Sequence, residues 1–190
     1  MRSVASVALP PRNVEDTEAR HTPIHTSFMS PNSESPGLRL LGLWGRLSPL
    51  PGGRWLFSRL LGRTVPYTDS MRATVMEFEP GHVRVELRER RRVRNHLGSV
   101  HAIALANLGE LSTGLAVLGA LPPSARGILT GIEIDYVKKA RGLLSAEARC
   151  QLGDVSAAVE QTVDAQITDE AGDVVARARA KWLLSPRPTP

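Results

Sequence analysis

The sequence predicts an α+β fold in which an antiparallel β-sheet wraps around one long central helix. Three observations lead there. From Ser70 onward, apolar and polar residues alternate with period two, the mark of strands with one buried face. One long apolar stretch with helical character, from about Ser99 to Gly119, interrupts that alternation. The strand-like segments come grouped, two before this stretch and four after it. Grouping of this kind favours antiparallel pairing over a parallel sheet with crossover helices.

The chain has 190 residues, enough for one compact domain with an appendage. Residues 1–37, rich in Ser, Thr, Pro and Asn, are expected to form a disordered tail. The apolar run near Met1 is broken by Pro10 and Pro11, too early for a secretory core. Glu15, Asp16 and Glu18 argue against an organelle transit peptide, so a cytoplasmic location is expected. Residues 38–69 form a helical preface. Its leucines and tryptophans alternate with arginines, and Pro49, Pro51, Gly52 and Gly53 split it in two. Packing on the domain is its simplest role; a lid, or a helix at a membrane surface, is the alternative.

The domain itself spans residues 70–185. Ala73 to Phe78 reads as a strand, Glu79-Pro80-Gly81-His82 as a turn, and His82 to Arg94 as a second strand. The even positions of that second strand include Arg84, Arg88, Arg90, Arg92 and Arg94, a solvated face or, alternatively, a phosphate-binding one. Asn95-His96-Leu97-Gly98 is a polar turn, and Ser99 is the expected N-cap of the long helix. That helix is apolar on every side, which predicts burial all round. His101, Asn107 and Glu110 inside Val100–Leu121 speak against a membrane span. Strands follow at Gly131–Val137, Leu144–Cys150, Ala158–Thr168 and Val174–Leu184. Lys138–Gly142 is a turn, and Asp169-Glu170-Ala171-Gly172-Asp173 closes a hairpin. Residues 186–190 form a short C-terminal tail.

The formal charge is +5, but it is local. Residues 36–98 hold 12 basic and 5 acidic groups, whereas each flank is close to neutral. No nucleic-acid motif accompanies the arginines, so no nucleic-acid partner is expected. Cys150 is the one cysteine, which excludes an intramolecular disulfide. His82, His96 and His101 are scattered over a strand, a turn and a helix, so no metal site is expected.

Glu110 is the one charged residue between Ser99 and Leu121. A carboxylate in an apolar helix is costly unless it is paired or used. Burial raises its pKa, the direction that suits a general base near neutral pH. The second feature is the helix start, crowded by Asn95, His96, Gly98 and His101. Backbone N–H groups there have no intrahelical partner and can hold a developing oxyanion. His101 and Glu110 are nine residues apart, about 13.5 Å along a helix axis and half a turn out of phase. If both act on one small substrate, they must come from two subunits, giving two sites about a two-fold axis.

Asn95-His96-Leu97-Gly98-Ser99-Val100-His101-Ala102, followed by Glu110, resembles hotdog-fold thioesterases of the phenylacetic-acid thioesterase type. Asn95, Gly98, His101 and Glu110 match that pattern in spacing. Pro66–Met71 and Tyr136–Gly142 resemble hotdog proteins of the DUF4442 type more closely. Two glycines of the thioesterase pattern are here Ala102 and Ile103.

The resemblance implies a hotdog fold and hydrolysis of acyl-CoA or another acyl thioester, with coenzyme A as part of the substrate and no cofactor. It implies a homodimer or a dimer of dimers. Glu110 would be general base or nucleophile, the Ala102 N–H the oxyanion donor, and Asn95 and His101 would orient the carbonyl or the water. Thr113, on the Glu110 face, would bond the carboxylate or a water. His96 and Gly98 would border the substrate, and Lys138, Lys139 and Arg141 would lie within reach of its phosphates. Two other readings remain: a non-catalytic acyl-CoA or acyl-carrier binding protein, and a 3-hydroxyacyl thioester dehydratase using His96 and Glu110.

Overall fold

The computed structural model describes residues 35–188; most of the tail expected over 1–37 lies outside them. Ser35 accepts the Leu38 N–H at 3.2 Å and Pro36 occupies the first turn, so helix α1 opens at Pro36 and runs to Leu47. Helices α2 (Gly53–Thr64) and α3 (Pro66–Asp69) complete the preface. The preface packs on the domain. Trp44 of α1 meets Phe57 of α2 edge-on, with centroids 5.1 Å apart, and both approach Phe78 of the first strand. Phe57 and Phe78 are fully buried, each contributing about 2–3 kcal/mol of transfer free energy.

The six strands are β1 (Thr74–Glu79), β2 (His82–Arg88), β3 (Ala125–Tyr136), β4 (Leu143–Arg149), β5 (Val159–Thr168) and β6 (Val174–Pro186). They form one antiparallel sheet in the order β1-β2-β4-β5-β6-β3. Helix α4 (Ala102–Ala120) touches all six strands. The predicted α+β arrangement, a sheet wrapped around one long helix, is therefore the observed hotdog fold. The core lies between them, with Val83, Val85, Leu87, Leu144, Ala146, Ile167 and Ala180 from alternate strand positions facing Leu108, Leu115 and Ala116.

Several boundaries differ from expectation. Strand β2 stops at Arg88 rather than Arg94, because the next two inward positions after Leu87 are Glu89 and Arg91, which cannot continue a buried face. The Glu89 N–H instead donates to the Gly142 carbonyl at 2.7 Å, and the chain turns through a short 3-10 segment at Arg91–Val93. The long helix begins at Ala102, and Ser99 is not its cap. Residues 99–101 stay extended because the Val100 N–H donates to Ala140 and the His101 N–H to Val93. The cap is His101. Strand β3 begins at Ala125, earlier than expected, and β6 continues to Pro186.

Helix α4 is the one described helix long and apolar enough to cross a membrane, and its sheet-facing side is buried. The expectation of burial on all sides does not hold in the single chain. Ile103 is 55% exposed, and the stripe Ile103, Asn107, Glu110 is only partly covered. Strand β3 pairs with β6 on one side only. Along this free edge Ile128, Ile132 and Tyr136 are exposed.

Candidate active site

The start of α4 is built by a loop that Asn95 folds. Its Oδ1 accepts from the Leu97 N–H (2.9 Å), the Ser99 N–H and the Ser99 hydroxyl (both 3.2 Å). Gly98 supplies the left-handed turn at φ 65°. Asn95 thus shapes the loop, with only its amide nitrogen left to meet a substrate. His96 and Gly98 are exposed on the same loop.

The next residues settle which amides are free. The His101 N–H donates to the Val93 carbonyl at 2.7 Å. The Ile103 N–H donates to Nδ1 of His101 at 3.1 Å. The Ala104 and Leu105 N–H groups both donate to the His101 carbonyl. Among the described residues, the Ala102 N–H has no acceptor, and it sits where the helix dipole is most positive. On its other side, the Tyr136 hydroxyl donates to the Ala102 carbonyl at 3.1 Å. That contact ties the end of β3 to the first turn of α4.

Glu110 lies eight residues further on, about 12 Å along the axis. It is half-buried, and burial pushes its carboxyl above the usual carboxylate range. No described residue offers the carboxylate a hydrogen bond or an ion pair. Its surroundings explain the desolvation. A Cβ built on Gly114 would lie 3.3 Å from Cη2 of Trp182 and 3.8 Å from Oε1 of Glu110. Carboxylate and indole therefore border the same bare backbone, and a side chain at 114 would fill that gap.

Two expectations fail here. The Thr113 hydroxyl does not meet the carboxylate; it is fully buried and donates to the Glu110 main-chain carbonyl at 3.1 Å. Lys138 is not free for a phosphate, because Asp169 (2.7 Å) and Asp173 (2.6 Å) hold its ammonium and raise its pKa. Lys139 and Arg141 are exposed on the same turn. Within one chain, the helix start and Glu110 are not brought together.

Some polar residues of the site were not singled out from the sequence. Asn107 lies one turn before Glu110 on the same helix face, and its Oδ1 accepts from Thr68 of α3 at 3.1 Å. This bond joins the preface to α4. Beside it, a cavity of about 310 Å³ is bordered by Tyr67, Met71, Arg92, His101, Ile103 and Asn107. Asn107 had a legible signal, as a polar residue in an apolar helix at the right spacing from Glu110. Thr68 and Tyr136 lie in the two stretches that resemble DUF4442-type proteins, but nothing in the sequence pointed to the bonds they make. A wider groove of about 510 Å³ runs over exposed charges of β3–β6, including Glu133, Asp164 and Arg179, and holds none of the expected site residues.

The fold has counterparts. One structural-genomics crystal structure is 29% identical, covering 78% of this chain and 99% of its own, with a TM-score of 0.69. A probable thioesterase of unknown function from Pseudomonas aeruginosa is 25% identical, covering 73% and 97%, with a TM-score of 0.62. A hypothetical thioesterase from Streptococcus pneumoniae, crystallised with coenzyme A, shares the fold at 19% identity, covering 67% and 99%, with a TM-score of 0.56. No curated protein matches the chain. The model of a domain of unknown function, DUF4442, matches residues 53–184. That match takes in α2, α3, α4 and all but the last two residues of the sheet, and with the hotdog architecture beneath it the chain belongs to the DUF4442 family as a thioesterase-like hotdog protein.

Proposed function

We propose that the protein is an acyl-CoA thioester hydrolase that works as a homodimer. The observation that carries this reading is the presence on one helix of a free Ala102 N–H at its start and an unpartnered, half-buried Glu110 on its open stripe. These are the two groups that thioester hydrolysis needs, an oxyanion donor and a base. A neighbour in fold binds coenzyme A, which supports a CoA thioester as the substrate class. A cytoplasmic location is part of this reading.

Two features of the surface support the dimer. Strand β3 is an unpaired twelve-residue edge with exposed Ile128, Ile132 and Tyr136, and a long apolar edge is a template for pairing. The end of this edge meets the start of α4, where the Tyr136 hydroxyl donates to the Ala102 carbonyl at 3.1 Å. Joining two copies along β3 lays the helices antiparallel, so that Glu110 of a second copy comes toward Ala102 of the first.

In the reaction, the thioester oxygen points at the Ala102 N–H. Glu110 of the second copy takes a proton from a water as its oxygen attacks the carbonyl carbon. The Ala102 N–H holds the resulting oxyanion. Collapse breaks the C–S bond, and the thiolate takes the proton back from Glu110, leaving a carboxylic acid and free coenzyme A. Burial suits Glu110 to this role, because a raised pKa makes its carboxylate a stronger base. The dehydratase reading finds less support, since His96 is exposed on the loop and nothing draws it toward Glu110.

The test is turnover of a panel of acyl-CoA chain lengths and aryl-CoA compounds by the wild type and by Glu110→Gln. Hydrolysis that is lost in the variant, with the dimer intact, supports the proposal. Unchanged turnover in the variant overturns it. Tight acyl-CoA binding without hydrolysis by the wild type would favour a binding protein.

A further inference from the structure

The arginine-rich stretch that gives the chain its charge has a part the fold does not neutralise. Arg84 is paired with Glu77 and Glu86, and Arg94 with Glu89. Arg59 of α2 is paired with Asp69 of α3 at 2.7 Å and also donates to the Ala73 carbonyl at 3.1 Å. Arg72, Arg90 and Arg92 have no ion pair among the described residues. Arg72 is held at a left-handed φ of 54°, a rare conformation for a side-chain-bearing residue. Arg90 has a buried Nη2 with no hydrogen-bond partner.

These groups sit together. Burial first, then the charges of Arg72, Arg59 and Arg92, pull the Arg90 guanidinium below its ordinary range, and Asp69 acts on it in the opposite sense. Asp69, however, is already engaged by Arg59. The geometry agrees: the Arg72 N–H donates to the Asp69 carbonyl at 2.8 Å, and Arg92 lines one cavity with Ser70 and Met71, so the four arginines are neighbours and Asp69 is the carboxylate that acts on Arg90. A buried guanidinium nitrogen without an acceptor is costly, and a cluster of like charges compounds the cost. An anion with several acceptor oxygens relieves both, and the fork of a guanidinium matches a phosphate in two parallel bonds. Arg92 also borders the 310 Å³ cavity at the start of α4, so the cluster adjoins the proposed site.

We infer that Arg72, Arg90 and Arg92, with Arg59 behind them, form an anion site that takes a phosphate group of the thioester's carrier. This rests on the proposed thioester reading and deepens it. It moves phosphate recognition from the Lys138 turn, whose lysine is neutralised, to the junction of preface and sheet. It also gives the preface a part in substrate recognition, through Arg59 and Arg72.

The experiment is calorimetric titration of the intact protein with coenzyme A, dephospho-CoA, 4′-phosphopantetheine and pantetheine, which needs no turnover. Coenzyme A is expected to bind at least about tenfold more tightly than pantetheine, as charged hydrogen bonds warrant. If 4′-phosphopantetheine binds like coenzyme A, the recognised phosphate is the one that a carrier protein also offers. If dephospho-CoA loses the advantage, it is the 3′-phosphate. Arg90→Gln and, should that variant fold poorly, the exposed Arg92→Gln and Arg72→Gln are each expected to remove most of the advantage. Arg88→Gln, an exposed arginine on β2 outside the cluster, should keep it. Equal affinity for pantetheine and coenzyme A, no measurable coenzyme A binding, or retention of the advantage in these cluster variants overturns the anion site. A protein that binds coenzyme A through these arginines yet hydrolyses no thioester would refute the hydrolase reading alone.

Discussion

The Ile103 N–H ends on Nδ1 of His101 at 3.1 Å, and this one bond decides what the start of α4 can do. It places His101 in the capping position, satisfies the amide two residues on, and leaves the Ala102 N–H open. His101 is thereby a positioning residue, with its imidazole nitrogen standing in for the oxygen of a usual cap.

Replacement of His101 should therefore behave as a capping change. His101→Ala should lower stability by about 1 kcal/mol and reduce kcat as the first turn frays. His101→Asn, which restores a capping oxygen, should recover both the Tm and most of kcat. Thermal melts beside kcat/KM for the two variants check this; an inactive but stable His101→Asn would show that the imidazole itself does chemistry.

Glu110 carries the sharpest pH prediction. Its folded-state pKa is raised by burial, and the base must be ionised, so kcat/KM should fall as pH drops through a value above the ordinary 4.5. The stability sign runs the other way. A raised carboxyl pKa means the folded state holds the proton more tightly, so its stabilising effect is complete at low pH and is lost as pH rises through the folded pKa. Glu110→Gln should therefore melt higher than wild type at pH 7, the gap closing below about pH 4.5, while kcat drops by roughly 10²–10⁴-fold. Single turnover in ¹⁸O-water should put the label in the product acid and none in the protein, as a general base requires.

Much of this site was legible in the residues, and what was not has a common cause. The sheet could be read because strand alternation is local, and Glu110 because a lone carboxylate in an apolar helix is conspicuous. The helix start was read three residues early, since Ser99 is held extended by Asn95 while Val100 pairs with Ala140, forty residues away. The end of β2 was missed because alternation with arginine continues in the sequence after the buried face has ended. Lys138 looked free because its partners, Asp169 and Asp173, arrive on a different hairpin. In each case a long-range contact overrode a local pattern.

The Thr68–Asn107 bond tests the role of the preface. Thr68 is buried and Asn107 lies one turn from Glu110. Thr68→Val keeps the shape and removes the donor, leaving Oδ1 of Asn107 unsatisfied at a cost of about 1–2 kcal/mol. Hydrolysis should weaken several-fold, and Asn107→Ala in the Thr68→Val background should cost less than it does alone. A double-mutant cycle read in both Tm and kcat/KM measures that coupling; additive effects would mean that the preface and the helix act independently.

The dimer prediction turns on β3. Ile132 is partly exposed on the free edge, opposite Ala180 of β6 on its paired side. A lysine there leaves the β3–β6 ladder intact, because a backbone ladder is indifferent to an outward side chain. It also places a charge where a second strand would have to dock, which is how edge strands are kept from pairing. Ile132→Lys should therefore convert the protein to a monomer by light scattering, with an unchanged far-UV spectrum. If Glu110 serves the neighbouring copy's Ala102, that monomer must be inactive even though both groups are present in every chain. Mixing it with a Glu110→Gln dimer should then leave activity absent, whereas full activity in the isolated monomer would show that one chain can complete the site.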